Sequence, residues 1–206
     1  MPNPVMVMDY ANMFCGSGPQ DDQASNHLTL TEVKLPAMDV TYVDHRAAGA
    51  PIAIEINTVM ARLECTFVCL GIVTQVSALV DSWLFGKREF FVYGNVRDQT
   101  TGEAYQAAAM MVGQLGRADP QNFRKGDVMH TNYAIREIIH YEFGVANQLL
   151  YYWDYFTNTR VFGPDNMNSK INANLHVNSP APAVYLTNFQ LAPTIGGAGV
   201  GAGPAA

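Results

Sequence analysis

Apolar and β-branched residues recur with a period of two through most of this chain, the spacing of half-buried strands. LTLTEVKL (28–35) is rich in Thr, Val and Leu and stops at Pro36, which cannot donate to a ladder. IAIEINTV (52–59) alternates, with Ile52, Ile54 and Ile56 on one side and Ala53, Glu55 and Asn57 on the other. Between them lies the polar, Gly/Ala/Pro-punctuated stretch 36–51, too long for a tight turn and of the kind that usually carries function. Residues 28–59 therefore read as a long hairpin with an oversized tip. LECTFVCL (63–70) is the next strand. Ile72, Val73, Val76, Leu79, Val80, Trp83 and Leu84 then recur at helical spacing and predict an amphipathic helix over 72–84, ending at Gly86. The apolar face of 52–59 is expected to pack on it.

Two further hairpins follow. KREFFVYGNVR (87–97) and EAYQAAAMMVGQLG (103–116) flank the turn DQTTG (98–102). The Ala/Met content of the second arm also suits a helix, but the turn before it and Gly113 within it favour strand. TNYAIREIIHYEFG (131–144) puts Tyr133, Ile135, Ile139, Tyr141 and Phe143 on one face, and QLLYYWDYFT (148–157) returns after a short link. Beyond about residue 160 the chain turns Asn- and Pro-rich. AVYLTNFQL (183–191) is a lone strand candidate ahead of a Gly/Ala/Pro tail. A lone strand is unstable in water and must join a sheet or a groove.

Composition sharpens this picture. Of 206 residues 49% are hydrophobic and 15% charged, against about 25% charged in an ordinary soluble domain. A surface so poor in charge is expected to meet protein rather than water. No apolar run approaches the about 18 residues of a membrane-spanning helix, and the N-terminus has no basic region of the secretory type. The net charge of −6 leaves no basic footprint for gripping nucleic acid.

Candidate chemistry is sparse. Cys65 and Cys69 on one strand would lie about 13 Å apart, beyond the roughly 7 Å a disulfide tolerates, and they read as buried free thiols. Cys15 is left over, and the histidines at 27, 45, 130, 140 and 176 stand singly. Gly197, Gly199 and Ala202 match a dinucleotide-binding pattern, but too close to the end of the sequence for the helix that pattern requires. Glu137 and Glu142 fall on opposite faces of one strand, and Asp21 and Asp22 read as solvated. No nucleophile, base and orienter come together. No enzyme, cofactor or metal is expected.

Taken in order, LTEVKLPAMDVTYVDHRAAGAPIAIEINTVMARLECTFVCLG, REFFVYGNVRDQTTGEAYQAAAMMVGQLGRADPQNFRKGD and the strand pair 131–157 resemble the major tail tube protein family of contractile-tailed bacteriophages. The carrying features are Leu35-Pro36, the Gly49-Ala50-Pro51 return, the Asp98-to-Glu103 turn and Lys125-Gly126-Asp127. The resemblance spans roughly residues 5–160. It implies a mainly β fold, a β-sandwich or rolled barrel with one short flanking helix, assembled into hexameric rings that stack as a tube. About four strands per subunit would join edge to edge into a continuous inner barrel of about 24 strands. Strands about 4.8 Å apart and tilted about 45° give a backbone diameter near ~50 Å, enough for duplex DNA.

The implied role is structural: a conduit for DNA ejection inside a contractile sheath, in the virion tail, assembled in the host cytoplasm. Residues 1–160 would be the tube domain and 161–206 an outer or inter-subunit extension. Asp39, Tyr42, Asp44, His45 and Arg46 would reach an adjacent subunit or ring. Glu32, Glu55 and Asn57 would face the lumen, and Tyr185, Leu186 and Phe189 would anchor the C-terminal arm. The expected partners are further copies of the chain, the tail sheath protein, and transiently the tape measure protein and DNA, with no membrane. Two alternatives stay open: the tube of a related type VI secretion or bacteriocin machine, and a monomeric ligand-binding β-barrel.

Overall fold

The structure is a computed structural model that describes residues 5–16, 25–46, 48–49, 51–80, 86–121, 124–146, 148–162 and 165–178. It is built from antiparallel strands: β1 (Met6–Cys15), β2 (Leu30–Lys34), β3 (Val40–His45), β4 (Ile54–Met60), β5 (Cys65–Leu70), β6 (Arg88–Asp98), β7 (Ala104–Pro120), β8 (His130–Val145), β9 (Gln148–Asp154), β10 (Thr159–Phe162) and β11 (Asp165–Asn166). Among the described residues two short helices accompany them, α1 (Thr74–Ser77) and α2 (Ser169–Asn174).

The main sheet runs β1-β6-β7-β8 and then divides. The first half of β8 pairs with β5, which pairs with β2. The second half pairs with β9, which leads to β10 and β11. The division falls at a bulge. Gln114 faces Arg136 and Val112 faces His140, so four steps along β8 answer two along β7. Glu137 takes a left-handed φ of 49° there. Such bulges bend a strand and increase its twist, which directs the two halves of β8 to different partners.

The path β2-β5-β8-β7-β6-β1 rolls around one apolar cluster. Met13, Cys65, Phe67, Cys69, Phe90, Met111, Leu115, Tyr133, Ile135 and Tyr141 are all buried in it. Phe67 and Tyr133 sit opposite each other on β5 and β8 and stack at 5.0 Å between ring centroids. Each such side chain contributes about 1.5–3 kcal/mol on burial. The roll comes round on itself where Phe14 bridges Ser25 and Asn26 donates its backbone N–H to the Met13 carbonyl at 3.0 Å. A smaller cluster of Phe91, Ala108 and Met110 lies on the other face of β6 and β7. Ala107–Met111 are consequently buried without a break, and β7 is a strand despite its helix-forming composition.

Several expectations are corrected. Residues 28–59 are not one hairpin: β2 pairs with β5, while β3 and β4 form a separate two-stranded sheet. The stretch 36–51 contains a strand of its own, whose Val40-Thr41-Tyr42-Val43 alternation supplies β4 with a near neighbour across a short loop. That leaves β2 to bury its inner face beside Cys65, Phe67 and Cys69. Ile52, Ile54 and Ile56 do not pack on the expected helix; they are 74%, 58% and 44% exposed.

The helix itself shrinks to the single turn α1, followed by turns to Val80, and residues 81–85 lie outside the described residues. Val73 at its N-cap makes no side-chain cap bond, and β-branched residues crowd the segment. Its apolar period still serves burial, since Val73, Val76, Leu79 and Val80 pack on the main cluster. On β8 the bulge turns Ile138 inward instead of Ile139. The Asn-rich stretch after residue 160 carries β11 and the second helix, α2.

Gly113 sits opposite the bulge. A Cβ there would lie 2.9 Å from the Arg136 carbonyl and 3.0 Å from Ile135 Cγ2. Gly113→Ala is expected to destabilise the subunit by about 1–3 kcal/mol, read as a lowered urea midpoint with an unchanged m-value. An unaltered midpoint would mean that β7 and β8 do not approach this closely.

Candidate assembly surface

The β3–β4 sheet stands apart from the main one, and its register gives it two unlike faces. Val43 pairs with Ile56 and His45 with Ile54; Tyr42 pairs with Asn57 and Asp44 with Glu55. Directly opposed residues share a face. One face is thus Val43, His45, Ile54 and Ile56, and the other is Tyr42, Asp44, Glu55 and Asn57. All eight side chains are exposed. Two-stranded hairpins are marginal in water, and this one places two carboxylates directly opposite each other. Its ladder runs one bond past the two strands, where Ala61 N–H donates to the Asp39 carbonyl at 2.8 Å.

Asp39 precedes β3 and Arg46 follows it, both exposed. The residues expected at an inter-ring contact therefore lie on or beside one hairpin. Glu55 and Asn57, expected in the lumen, lie on that same hairpin, across from Asp44 and Tyr42. Glu32 is separate: it is exposed on β2 and lines a groove of about 440 Å³ with Met8, Tyr10, Leu30, Val92 and Ala108. Tyr185, Leu186 and Phe189 lie outside the described residues.

Several other charges are matched within the subunit. Arg97 grips Asp9 with two bonds of 2.9 and 3.1 Å, Lys87 meets Glu137 at 2.7 Å, and Arg136 meets Glu64 at 3.1 Å. Exposed pairs of this kind are screened by water and salt and contribute little to stability. The thiols of Cys15, Cys65 and Cys69 are all buried and free. Burial pushes Cys65 up to about 12 and Cys69 up to about 11, and raises Cys15 as well.

A buried polar cluster escaped the sequence reading. His140 Nε2 lies 3.0 Å from Glu142 Oε1, and Nδ1 lies 3.1 Å from Asp154 Oδ2. Loss of water opposes charging the ring, but the hydrogen bonds and charges of the two carboxylates outweigh it, and His140 keeps its proton to higher pH than an ordinary histidine. For Asp154, burial likewise opposes the charge; the bonds from Thr157 and His140 outweigh it and hold the carboxyl below its usual range. The signal was a period-two one: His140 and Glu142 share a face of β8. Asp154 joins them only through the β8–β9 register.

Asp154 also begins the tether of the C-terminal stretch. Its Oδ1 accepts from Thr157 N–H at 2.8 Å. Asn158 Nδ2 then donates to Asn172 Oδ1 at 2.6 Å, and Asn172 Nδ2 donates to the Asn158 carbonyl at 3.0 Å. Asn168 Nδ2 reaches the same carbonyl at 3.1 Å.

A family model described as phage tail tube protein FII matches residues 20–175. The chain belongs to that family. It is a structural subunit that self-assembles into a phage tail tube, and so a component of the virion. No curated protein matches the chain closely enough to add to this assignment. Among the described residues no helix is long and apolar enough to cross a membrane. The match includes β10, β11 and α2, so the family's domain takes in the Asn-rich stretch that the resemblance left out.

The Asn ladder yields a local test. Asn172 is buried, and its loss leaves polar groups without partners at a cost of about 1–3 kcal/mol. In Asn172→Ala, limited proteolysis should cut within residues 165–178 while the main-sheet circular dichroism persists. A variant as resistant as the native chain would show that the ladder does not hold α2.

Proposed function

We propose that this tail tube subunit forms hexameric rings with a continuous inner β-barrel, and that the rings stack inside a contractile sheath as the conduit for DNA ejection. The observation that carries this reading is the two-faced β3–β4 hairpin, exposed on both sides in the single subunit. Its apolar face of Val43, Ile54 and Ile56 needs a cover, and a neighbouring subunit or ring provides one. His45 shares that face, and Asp39 and Arg46 flank the hairpin beside the contact, while Tyr42 and Asp44, also expected there, stand on the opposite face with Glu55 and Asn57 and reach a neighbour only at its rim.

Its other face supports a lumen assignment for Glu55 and Asn57, with Glu32 added from β2. Like charges opposed on a hairpin are unfavourable alone, but they suit a channel through which a polyanion slides, because Lys and Arg would hold its phosphates. Ring closure would also cover the sheet edges that otherwise invite aggregation.

In this reading residues 1–160 build the tube wall and 161–206 extend it, the first of them, to residue 175, still within the family match. Its first part is tied down by β10, β11 and the Asn ladder. The remainder runs over the outer surface toward a neighbouring subunit or the sheath, with Tyr185, Leu186 and Phe189 as anchors. The tape measure protein and then DNA occupy the lumen in turn.

Negative-stain microscopy of the purified chain should show six-membered rings and stacked tubes. Ile54→Asp, or deletion of residues 40–47, should leave a folded subunit that no longer elongates; normal tubes from either would sink the hairpin assignment. Truncation after Asn178 should keep the fold and weaken tube stability or sheath attachment. Unaltered tubes that still bind sheath would remove the arm from assembly.

A further inference from the structure

The main-sheet face opposite the large cluster carries the His140 cluster, which the tube reading does not use. Two contacts of hydrogen-bond length, 3.0 and 3.1 Å, join three groups. Each needs a hydrogen between its heavy atoms. Deprotonated carboxylates have none to give, so the imidazole must supply both, or Glu142 must carry one in its stead. Either way the cluster holds two hydrogens. Removing one sets a ring lone pair against a carboxylate lone pair.

The two carboxylates are not equally able to move. Glu142 is fully buried, whereas the Asp154 side chain is 18% exposed. The contact that opens is the one to Asp154. Asp154 also accepts from the Thr157 N–H and lies 2.9 Å from the Thr157 hydroxyl, and that hydroxyl lies 3.0 Å from Thr159 Oγ1. The turn it organises presents Asn158 to Asn168 and Asn172. Other groups face the cluster as well. Val112 and Met110 stand opposite His140 and Glu142 on β7, Tyr152 of β9 sets its ring edge-on to His140 at 5.3 Å, and Thr159 of β10 stands opposite Asp154.

We propose that His140, Glu142 and Asp154 form a proton-operated latch that docks the turn 155–158 and the segment behind it, through α2, onto β9, and that loss of one proton as the pH rises releases that segment while the rolled sheet stays folded. The direction follows from linkage. The raised pKa of His140 contributes stability that is complete below the ordinary histidine value and lost as pH rises through the folded-state one. The depressed pKa of Asp154 keeps the latch intact on the acid side until well into the carboxylate range.

The test is hydrogen exchange of the full chain from about pH 6 to about pH 9, corrected for intrinsic exchange, with the His140 ring charge followed by nitrogen NMR in the same samples. Protection over residues 155–177 should fall about tenfold per pH unit once the ring loses its charge, with β6 and β7 unaffected. Asp154→Asn should abolish the fall: its amide donates to Nδ1 of a neutral ring, its carbonyl still accepts from Thr157, and Nε2–H still serves Glu142. Glu142→Gln should do the same from the other side, which keeps the test available if the first variant misfolds. Unchanged protection in the native chain while the ring discharges would overturn the latch. So would an undiminished fall in a folded conservative variant. Both readouts come from the subunit and are independent of whether it builds rings.

Discussion

A β-strand has two edges to share. β8 gives one of them to β7 along nearly its whole length and divides the other between β5 and β9. The division is possible because the bulge around Glu137 bends the strand at the point where one partner ends and the next begins. Toward β5 and β2 the sheet curls over Phe67, Tyr133 and Ile135. Toward β9 and β10 it extends into the part that carries the His140 cluster and the Asn ladder. Gly113 on β7 allows the close approach the bend requires. The rolled body and the C-terminal attachment are two consequences of one irregular strand.

The subunit is self-sufficient in its interior and incomplete at its periphery. Aromatic, thioether and thiol side chains fill the rolled sheet, and several surface ions find partners within the chain. The β3–β4 sheet has neither kind of support: its apolar and acidic faces are both open, and its backbone bonds run between its own two strands. The low content of charged residues, 15% of the chain, suits a family whose members build tubes, because few ions lose their water where subunits meet.

Much of the fold was legible in the residues. The period-two runs of β5 to β9 are long, apolar on one face and bounded by clear turns, and local pattern suffices for them. Pattern does not choose partners, however. The alternation over 52–59 was real, but it was satisfied by Val40–His45 nearby rather than by 28–35, and that reassigns both strands. Within the helical period over 72–84, Val73, Val76, Leu79 and Val80 reach the core without a continuous helix, and Ile72 stays exposed. Ile138 and Ile139 exchanged roles because a bulge carries no compositional mark. Asp39, Tyr42, Asp44, His45 and Arg46 group on or beside one hairpin because they stand in one contiguous stretch. The His140 cluster was missed because its third member arrives through register, which a single sequence does not display.

The three thiols that line the core have a consequence outside the cell. A virion component is made among reductants and then spends its existence in aerated surroundings, where accessible thiolates oxidise or exchange into mixed disulfides. Cys15, Cys65 and Cys69 are enclosed by the sheet and held as neutral thiols. They present no nucleophile to oxygen, to metal ions or to a neighbouring copy. A tube of such subunits can age outside its host without acquiring covalent crosslinks between these thiols.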